Sequence, residues 1–403
     1  MDQSDWACLP EDLLDLILSR LVTLSDYVRF STVCMPWHTF ALEKYDGERH
    51  LKLSTHQPPL LFLPHTRGSK EEETTFIISI HNFSKTYELE SFTPICSQRW
   101  SGSSHGWLIS VDENFAITLS NPFCSKLKGG DVGIIRLPPV PYRNCYCIEK
   151  VILSANPTMT PDDYTVMIIF NMYGKLAFIR AGDKEWTCIK KCHNVDDVIY
   201  SKGLFYALDG TCSVITCDIS EHNPMLNKVS PRLSPNLSPD EEVQEIKNYI
   251  VESAGGDLLQ LLRFMDWTTV VHGDNKRRIM HVETKGFKAF KLLFLNGESK
   301  WVETKNLGDG SLFLGENNST YMSASDCLGC HPNSIYFTEY CPPHPYFAHS
   351  YDMGIFNLGD GSFLQRDCVS KFLSSPVSML PPIWIEPTFQ GKKIGGFVKN
   401  PKL

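Results

Sequence analysis

The stretch Leu9-Pro10-Glu11-Asp12-Leu13-Leu14-Asp15-Leu16-Ile17-Leu18-Ser19-Arg20-Leu21, followed by Val33-Cys34-Met35-Pro36-Trp37, crowds more apolar surface into a few short helices than so small a unit can bury. A segment under ~40 residues rarely folds on its own core, so the excess implies a partner surface. Pro10 sits where a first helical turn tolerates proline, and Glu11 and Asp12 complement the positive end of the helix dipole. Leu13, Ile17 and Leu21 then recur at helical spacing on one face, with Leu14, Leu18 and Leu21 as a second stripe alongside. After the break at Val22-Thr23, Ser25 fits the N-cap of a short second helix, Asp26 to Phe30, and a third is expected from Val33 to about Lys44. Part of the surface of Leu13, Ile17, Leu21 and Trp37 is assigned to the module's own core. Leu9 and Pro10, which precede the first helix, read as contact residues.

The chain beyond this module is long enough to fill a core. At 403 residues, with 42% hydrophobic and 21% charged side chains, the composition is that of a globular protein of two to three domains. A net charge of -8 argues against nucleic acid as a partner, because neutralising phosphates needs a concentrated basic face and the one short run is Lys276-Arg277-Arg278. Met1-Asp2-Gln3-Ser4-Asp5 is acidic and lacks both the basic n-region and the apolar h-region of a secretory signal, and no stretch reaches the ~18 to 20 apolar residues of a membrane span. The expectation is an intracellular chain, nuclear or cytoplasmic, with no membrane partner. Its 14 cysteines are scattered along the whole length, which in a reducing compartment reads as buried thiols and not as a disulfide framework.

From Leu60 onward the texture changes to short runs rich in Val, Ile, Phe and Tyr, interrupted by turn residues such as Asp112-Glu113-Asn114, Tyr173-Gly174, Asp209-Gly210 and Asn296-Gly297. That is the pattern of antiparallel sheet built from hairpins, for example Val166–Phe170 against Leu176–Ile179 and Phe290–Phe294 against Trp301–Glu303. Weak repetition narrows the architecture. Ser104-His105-Gly106-Trp107 matches Ser201-Lys202-Gly203-Leu204 at an offset of 201 - 104 = 97. Leu307-Gly308-Asp309-Gly310-Ser311 recurs as Leu358-Gly359-Asp360-Gly361-Ser362 at 358 - 307 = 51, and Gly203 and Gly255 differ by 255 - 203 = 52. Offsets of one and two units of about 50 residues suit a propeller blade of four strands. The proline-rich run from Asn223-Pro224 through Pro231, Pro235 and Pro239-Asp240-Glu241-Glu242 interrupts the rhythm and is expected to be an exposed loop between blades.

The set Leu9, Pro10, Leu13, Ile17, Leu21, Val33, Cys34 and Trp37 resembles the F-box, the helical module by which substrate receptors dock onto the Skp-type adaptor of SCF ubiquitin ligases. The later part of the chain resembles the plant F-box proteins of the KIB type, whose second domain is a β-propeller. The matching residues are Tyr249–Ser253 with Gly256-Asp257-Leu258-Leu259, Phe287, Trp301-Val302-Glu303, Leu307-Gly308-Asp309 with Leu312–Gly315, and Asn333–Phe337. The resemblance implies a non-catalytic substrate receptor, with the eight N-terminal residues binding the adaptor, and cullin through it, while the propeller selects an unidentified protein target. Three positions depart from the usual F-box: Val22 stands where proline is common, and Pro36 and His38 replace polar or basic neighbours of the tryptophan. A rim contact is worth under ~1 kcal/mol and a buried Leu or Ile ~1.5 to 3 kcal/mol, so the apolar set is expected to dominate. The resulting expectation is an α+β multidomain chain: a three-helix F-box over 4–45, a linker over 46–57, and an all-β, kelch-like propeller of six or seven blades over 58–395, with the insertion near 221–242.

Three constellations look chemical. Gly102-Ser103-Ser104-His105-Gly106 fits the nucleophile-elbow spelling, but Trp107–Val111 after it reads as a strand where the elbow needs a helix. Cys327 and Cys330 with Cys341 and His344 have finger-like spacing, although Ser334–Thr338 between the pairs reads as a blade strand, so loop or buried thiols are favoured and no metal is expected. Asp162-Asp163 and Asp196-Asp197 are assigned to solvent-facing turns. No cofactor is implied. The rival reading is a propeller enzyme or small-ligand-binding protein with a degenerate helical N-terminus, which needs convergent polar groups at the central channel; a third is a scaffold outside any ligase. No residues mark the target-binding surface.

Overall fold

The structure is a computed structural model, and it describes residues 6, 9–21, 26, 30, 31, 33–44, 58–66, 73–78, 86–88, 99–122, 133–140, 147–190, 192–220, 224–234, 243–272, 277–327, 329–341, 347, 348, 350–366 and 382–387. Among them two helices are found, α1 (Glu11–Ser19) and α2 (Met35–Lys44). The expected three-helix module is therefore corrected to two, and the span given to the middle helix, Asp26 to Phe30, falls largely outside the described residues.

Among the described residues, every regular element after these helices is a strand. Blade 1 joins β1 (Leu60–Thr66), β2 (Glu73–Ile78) and β3 (Thr86–Glu88). Blade 2 comprises β4 (Arg99–Ser104), β5 (Trp107–Val111), β6 (Ile117–Ser120) and β7 (Ile134–Arg136). Blade 3 comprises β8 (Ile148–Leu153), β9 (Thr165–Phe170), β10 (Lys175–Arg180) and β11 (Thr187–Cys188). Blade 4 is β12 (Val195–Ser201), β13 (Leu204–Asp209), β14 (Val214–Asp218) and β15 (Met225–Lys228), and blade 5 is β16 (Glu245–Glu252), β17 (Leu258–His272), β18 (Arg277–Leu295) and β19 (Glu298–Thr304). The last sheet holds β20 (Gly310–Leu314), β21 (Thr320–Ser323), β22 (Ser334–Cys341), β24 (Ser350–Asn357) and β25 (Phe363–Arg366), while β23 (Phe347–Ala348) runs parallel to β18. Finally β26 (Ile383–Ile385) returns to pair with β1 and completes blade 1.

Five of these sheets are blades built on four antiparallel strands, the fifth blade carrying the short parallel β23 in addition, which corrects the expected six or seven kelch-like blades. The sixth sheet closes the ring in another way: its order is β21-β20-β22-β24-β25, and β20 and β22 are parallel. Each interface between neighbouring sheets is filled by its own apolar cluster. Trp107, Ile109 and Leu119 of blade 2 meet Val151, Val166 and Phe170 of blade 3, and Phe62, Ile383 and Ile385 of blade 1 meet Trp100 and Leu108 of blade 2. Strands covered on both faces, such as β5 with every residue buried, read as continuous apolar runs for that reason.

The repeats gain their meaning here. His105-Gly106 and Lys202-Gly203 are the turns between first and second strands of blades 2 and 4, all four at positive φ (50°, 76°, 49° and 84°), so the offset of 97 spans two blades. Gly255 occupies the corresponding turn of blade 5. The offset of 51 does not mark a blade, because Leu307–Ser311 and Leu358–Ser362 lead into β20 and β25 of one sheet. Both expected hairpins pair as read, Ile169 opposite Leu176 and Leu292 opposite Trp301. The proline-rich run is corrected in its first half: Met225–Lys228 is the outer strand of blade 4, and Leu233 is 5% exposed within the core between blades 4 and 5. Residues 221–223 and 235–242 lie outside the described residues.

The axis of the ring is filled by the chain itself. Between β20 and β21, Gly315–Ser319 reaches the inner strands of several blades, with Asn317 and Ser319 2% and 6% exposed. The Asn318 N–H donates to the Ser103 carbonyl of β4 (2.8 Å), the Ser319 hydroxyl donates to Asp197 Oδ2 of β12 (3.4 Å), and Glu316 lies 3.8 Å from Lys247 Nζ of β16. Gly102 is required at this approach: with φ of +126°, any Cβ there would stand 2.3 Å from the Glu316 carbonyl oxygen. Asp197, assigned from sequence to a solvent-facing turn, is buried in β12 and is thereby corrected. It pairs with the buried Lys150 Nζ of β8 and accepts from the Ile250 N–H of β16 (2.9 Å), so one carboxylate ties three inner strands.

A second buried charge holds the irregular sheet to blade 5. Arg263 of β17 has no exposure, and its guanidinium donates to Glu339 Oε2 (3.0 Å), Asp352 Oδ2 (3.2 Å), the Thr338 carbonyl (3.2 Å) and Thr284 Oγ1 (2.9 Å) while lying over the Phe337 ring. Removing one partner of such a network leaves carboxylates without their cation, whereas an intact network roughly balances its own desolvation. Arg263→Leu is expected to destabilise the chain by about 3–5 kcal/mol in urea unfolding.

At the mouth of the axis, partial burial raises the Glu149 carboxyl above its ordinary value of 4.5. Glu316 and Asp196 add to this, against a hydrogen bond from Cys147 and the attraction of Lys247. A carboxyl raised in the folded state costs stability once it ionises, and that cost is absent below the unfolded value. Glu149→Gln is therefore expected to raise the thermal midpoint at pH 7 and to give no gain below about pH 4.5, read by melting across pH.

Candidate functional site

The N-terminal module has the greatest concentration of exposed apolar surface. Five of the fourteen large apolar side chains exposed among the described residues, Trp6, Leu13, Leu16, Val33 and Met35, lie within it. Helix α1 starts at Pro10, whose extended ψ of 146° suits an N-cap and whose carbonyl accepts from the Leu13 and Leu14 N–H groups (3.0 and 3.1 Å). Glu11 and Asp12 occupy the first turn, where the helix dipole favours them.

The two apolar stripes of α1 divide the work. Leu14 and Leu18, four residues apart, are 4% and 1% exposed and form a compact core with Phe30, Trp37, Phe40 and Ala41. On α2 the buried positions Trp37, Phe40 and Ala41 follow the i, i+3, i+4 rule. Trp37 stacks at 4.6 Å on Phe30, and its indole N–H donates to the Trp6 carbonyl (2.9 Å). Among the described residues, this core contains none of the propeller.

Leu13, 46% exposed, and Val33, 55% exposed, point away from that core, and Pro10 is exposed. Leu9, Ile17, Leu21 and Cys34 are half-buried and pack against its edge. Trp37 is 7% exposed and packs in the core, as part of its surface was expected to: a large ring at the crossing of two short helices is what fills their interface. Three further exposed residues escaped the sequence reading, Trp6 at 63%, Leu16 at 50% and Met35 at 73%. Leu16 carried a signal in its i+3 spacing from Leu13, whereas Met35 stands alone in the pattern.

Ser104 ends β4 and enters a tight hairpin, its hydroxyl accepting from the Leu153 N–H (3.1 Å), so the serine is buried between blades and no helix follows it. Cys327 and Cys330 sit in one turn, buried, with the Cys327 thiol directed at Met322 Sδ (3.8 Å); the Cys341 side chain and His344 lie outside the described residues. Asp162 and Asp163 are exposed at a turn, as read. Among the described residues no helix is long and apolar enough to cross a membrane.

Comparison with known proteins places these features. Residues 77–357 match the family profile described as the KIB1-4 beta-propeller, and residues 6–46 match the F-box domain. The chain is 28% identical over 370 residues to the F-box protein SKIP23 of Arabidopsis thaliana, covering 83% of this chain and 84% of that protein. It is 24% identical over 416 residues to the Arabidopsis thaliana F-box protein At2g17036, covering 94% and 95%.

A buried ring and an exposed leucine should respond differently to truncation. Trp37→Ala is expected to cost about 3–5 kcal/mol of the module's stability, read as faster amide exchange across Glu11–Ser19 and Met35–Lys44 in the full chain. Leu16→Ser is expected to stay within about 0.5 kcal/mol by the same measurement.

Proposed function

From the premise that the chain belongs to the KIB1-4 β-propeller family and carries an F-box, we propose that it is the substrate-receptor subunit of an SCF-type ubiquitin ligase. The observation that carries this reading is an apolar surface left over on a module whose core is already complete: Leu13, Leu16, Val33 and Met35 face outward while Leu14, Leu18 and Trp37 close the interior. Water-exposed leucine, valine and methionine on so small a unit are stabilised by docking, each contributing ~1.5 to 3 kcal/mol of burial before the costs of association. The proposed adaptor contacts are Leu9, Pro10, Leu13, Ile17, Leu21, Val33, Cys34 and the remaining exposed edge of Trp37, joined by Leu16 and Met35. The partner is a Skp-type adaptor and, through it, cullin.

The propeller is the part that selects a protein target, and the proposed division is a helical module over 4–45, a linker over 46–57 and a propeller over 58–395. In this role the chain works by proximity. Holding target and adaptor at once raises the local concentration of target lysines near the ligase's charged ubiquitin, and no residue here touches the reacting bond. The rival reading, a propeller enzyme or small-ligand protein, calls for polar groups converging on an open axis. That axis is occupied by Gly315–Ser319, hydrogen-bonded to β4 and β12, which favours the receptor.

The test is a binding titration with purified Skp-type adaptor. Wild type is expected to bind, and Leu13→Asp combined with Val33→Asp to weaken binding about 100-fold or more, since two apolar contacts are lost. Both positions are half or nearly half exposed, so the melting temperature is expected to be unchanged. Equal affinity of the two proteins, or no binding by wild type, would refute the proposal.

A further inference from the structure

A cleft of about 600 Å³ opens on the flank of blade 5, within the volume range of ligand sites. It lies where the sheet runs out of strands. On the side away from β17, β18 is paired with β23 only at Arg278–Ile279 and with β19 only from Ala289 to Leu295. The Thr284 N–H above the cleft is taken by Asp352 Oδ2 (2.7 Å). Between Thr284 and Ala289, at Lys285, Gly286 and Phe287, no strand of the described residues lies against the β18 edge.

The edge is also reshaped at this point. Phe264 pairs with Gly286 but Met265 with Thr284, so Lys285 is the extra residue of a β-bulge, and the bulge bends β18 beside the cleft. Phe264, Phe287, Phe356 and Leu358 line the floor. The rim carries three lysines and three carboxylates, and Lys285 is already held by Glu283 (2.6 Å) and Asp266 (3.7 Å), so the rim does not select a strongly charged ligand. The same β18 edge already accepts one short extended segment, Phe347–Ala348 of β23, a few residues away.

We infer that this cleft takes an extended segment of the protein target, which adds as a short strand along Lys285–Phe287 and seats one apolar side chain on the floor. A directional row of main-chain groups at an open edge is satisfied in register by another backbone and not by a compact molecule, and the pocket behind it reads one side chain. The inference rests on the reading of the propeller as the target-selecting part, and it names the recognised feature as an extended peptide.

The probe is a displayed library of random twelve-residue peptides panned on the full chain, with selected peptides synthesised and titrated. Gly286→Leu is the variant chosen to obstruct the cleft, since its Cβ meets nothing nearer than the Phe356 ring at 3.8 Å and the branched end then stands beside that ring. Selected peptides are expected to bind wild type, to lose tenfold or more in affinity to Gly286→Leu, and to bind unchanged to Lys228→Glu on blade 4. N-methylation of the peptide backbone at its pairing position is expected to cost a further tenfold or more, and bound peptide to slow amide exchange at Lys285–Phe287. Exchange is read on wild type, so the result stands even if Gly286→Leu misfolds. Failure to enrich any peptide, indifference to Gly286→Leu in a folded protein, indifference to N-methylation, or protection elsewhere would overturn the inference. Adaptor binding is scored on the same preparations: peptides failing while the adaptor binds removes only this site, and the adaptor failing removes the receptor reading.

Discussion

The structure depends on a filled axis. A ring of sheets has inner strands whose polar edges all turn toward one line, and that line must hold either water or chain. Here it holds Gly315–Ser319, whose backbone and side chains bond to β4 and β12, while Asp197 pins β8, β12 and β16 through Lys150 and the Ile250 amide. Burying that carboxylate is tolerable only because a cation and three further donors, the Ile250 and Val198 N–H groups and the Ser319 hydroxyl, surround it.

The irregular sixth sheet is the second consequence. Its parallel pair and its extra strand break the blade pattern, and the break is bridged by Arg263, which links β17 to β22 and β24 through two carboxylates and a carbonyl. Apolar packing continues across the same interface through Phe287, Phe337 and Phe356, with ring centroids 5.3 Å apart in each pair with Phe287. Where β19 leaves off and the last sheet begins, the chain leaves the open edge and cleft on β18. Among the described residues, the place where the repeat fails is thus also where pairing along β18 is interrupted.

At the amino end the balance is different. Six residues, Leu14, Leu18, Phe30, Trp37, Phe40 and Ala41, make a core too small to cover the remaining leucines, and none of the propeller's clusters includes them. Much of this was legible in the chain. The i, i+4 spacing of Leu14 and Leu18 and the N-terminal proline locate α1, and the His105-Gly106 and Lys202-Gly203 pairs mark equivalent turns because a tight hairpin demands positive φ at both positions. Which α1 stripe turns inward was not legible, since Leu13 and Leu14 are chemically identical and only the crossing of α2, with its tryptophan, chooses between them. Asp197 and Arg263 were hidden for a related reason: a charge in a strand reads as exposed unless its partners, 47 and 76 residues away, are known.

What the sequence determined by itself is local and periodic: where helices and strands form, which hairpins close, and that the helical module carries more apolar surface than it can bury. These follow from side-chain chemistry within a few residues of each position. The tertiary structure alone decided what depends on distant residues meeting: five regular blades with an aberrant sixth sheet, an axis sealed by its own chain, buried charges with their partners, and the vacant stretch of edge on β18. Such features arise from how whole sheets pack and from where strand pairing stops, and no short window of residues contains that information.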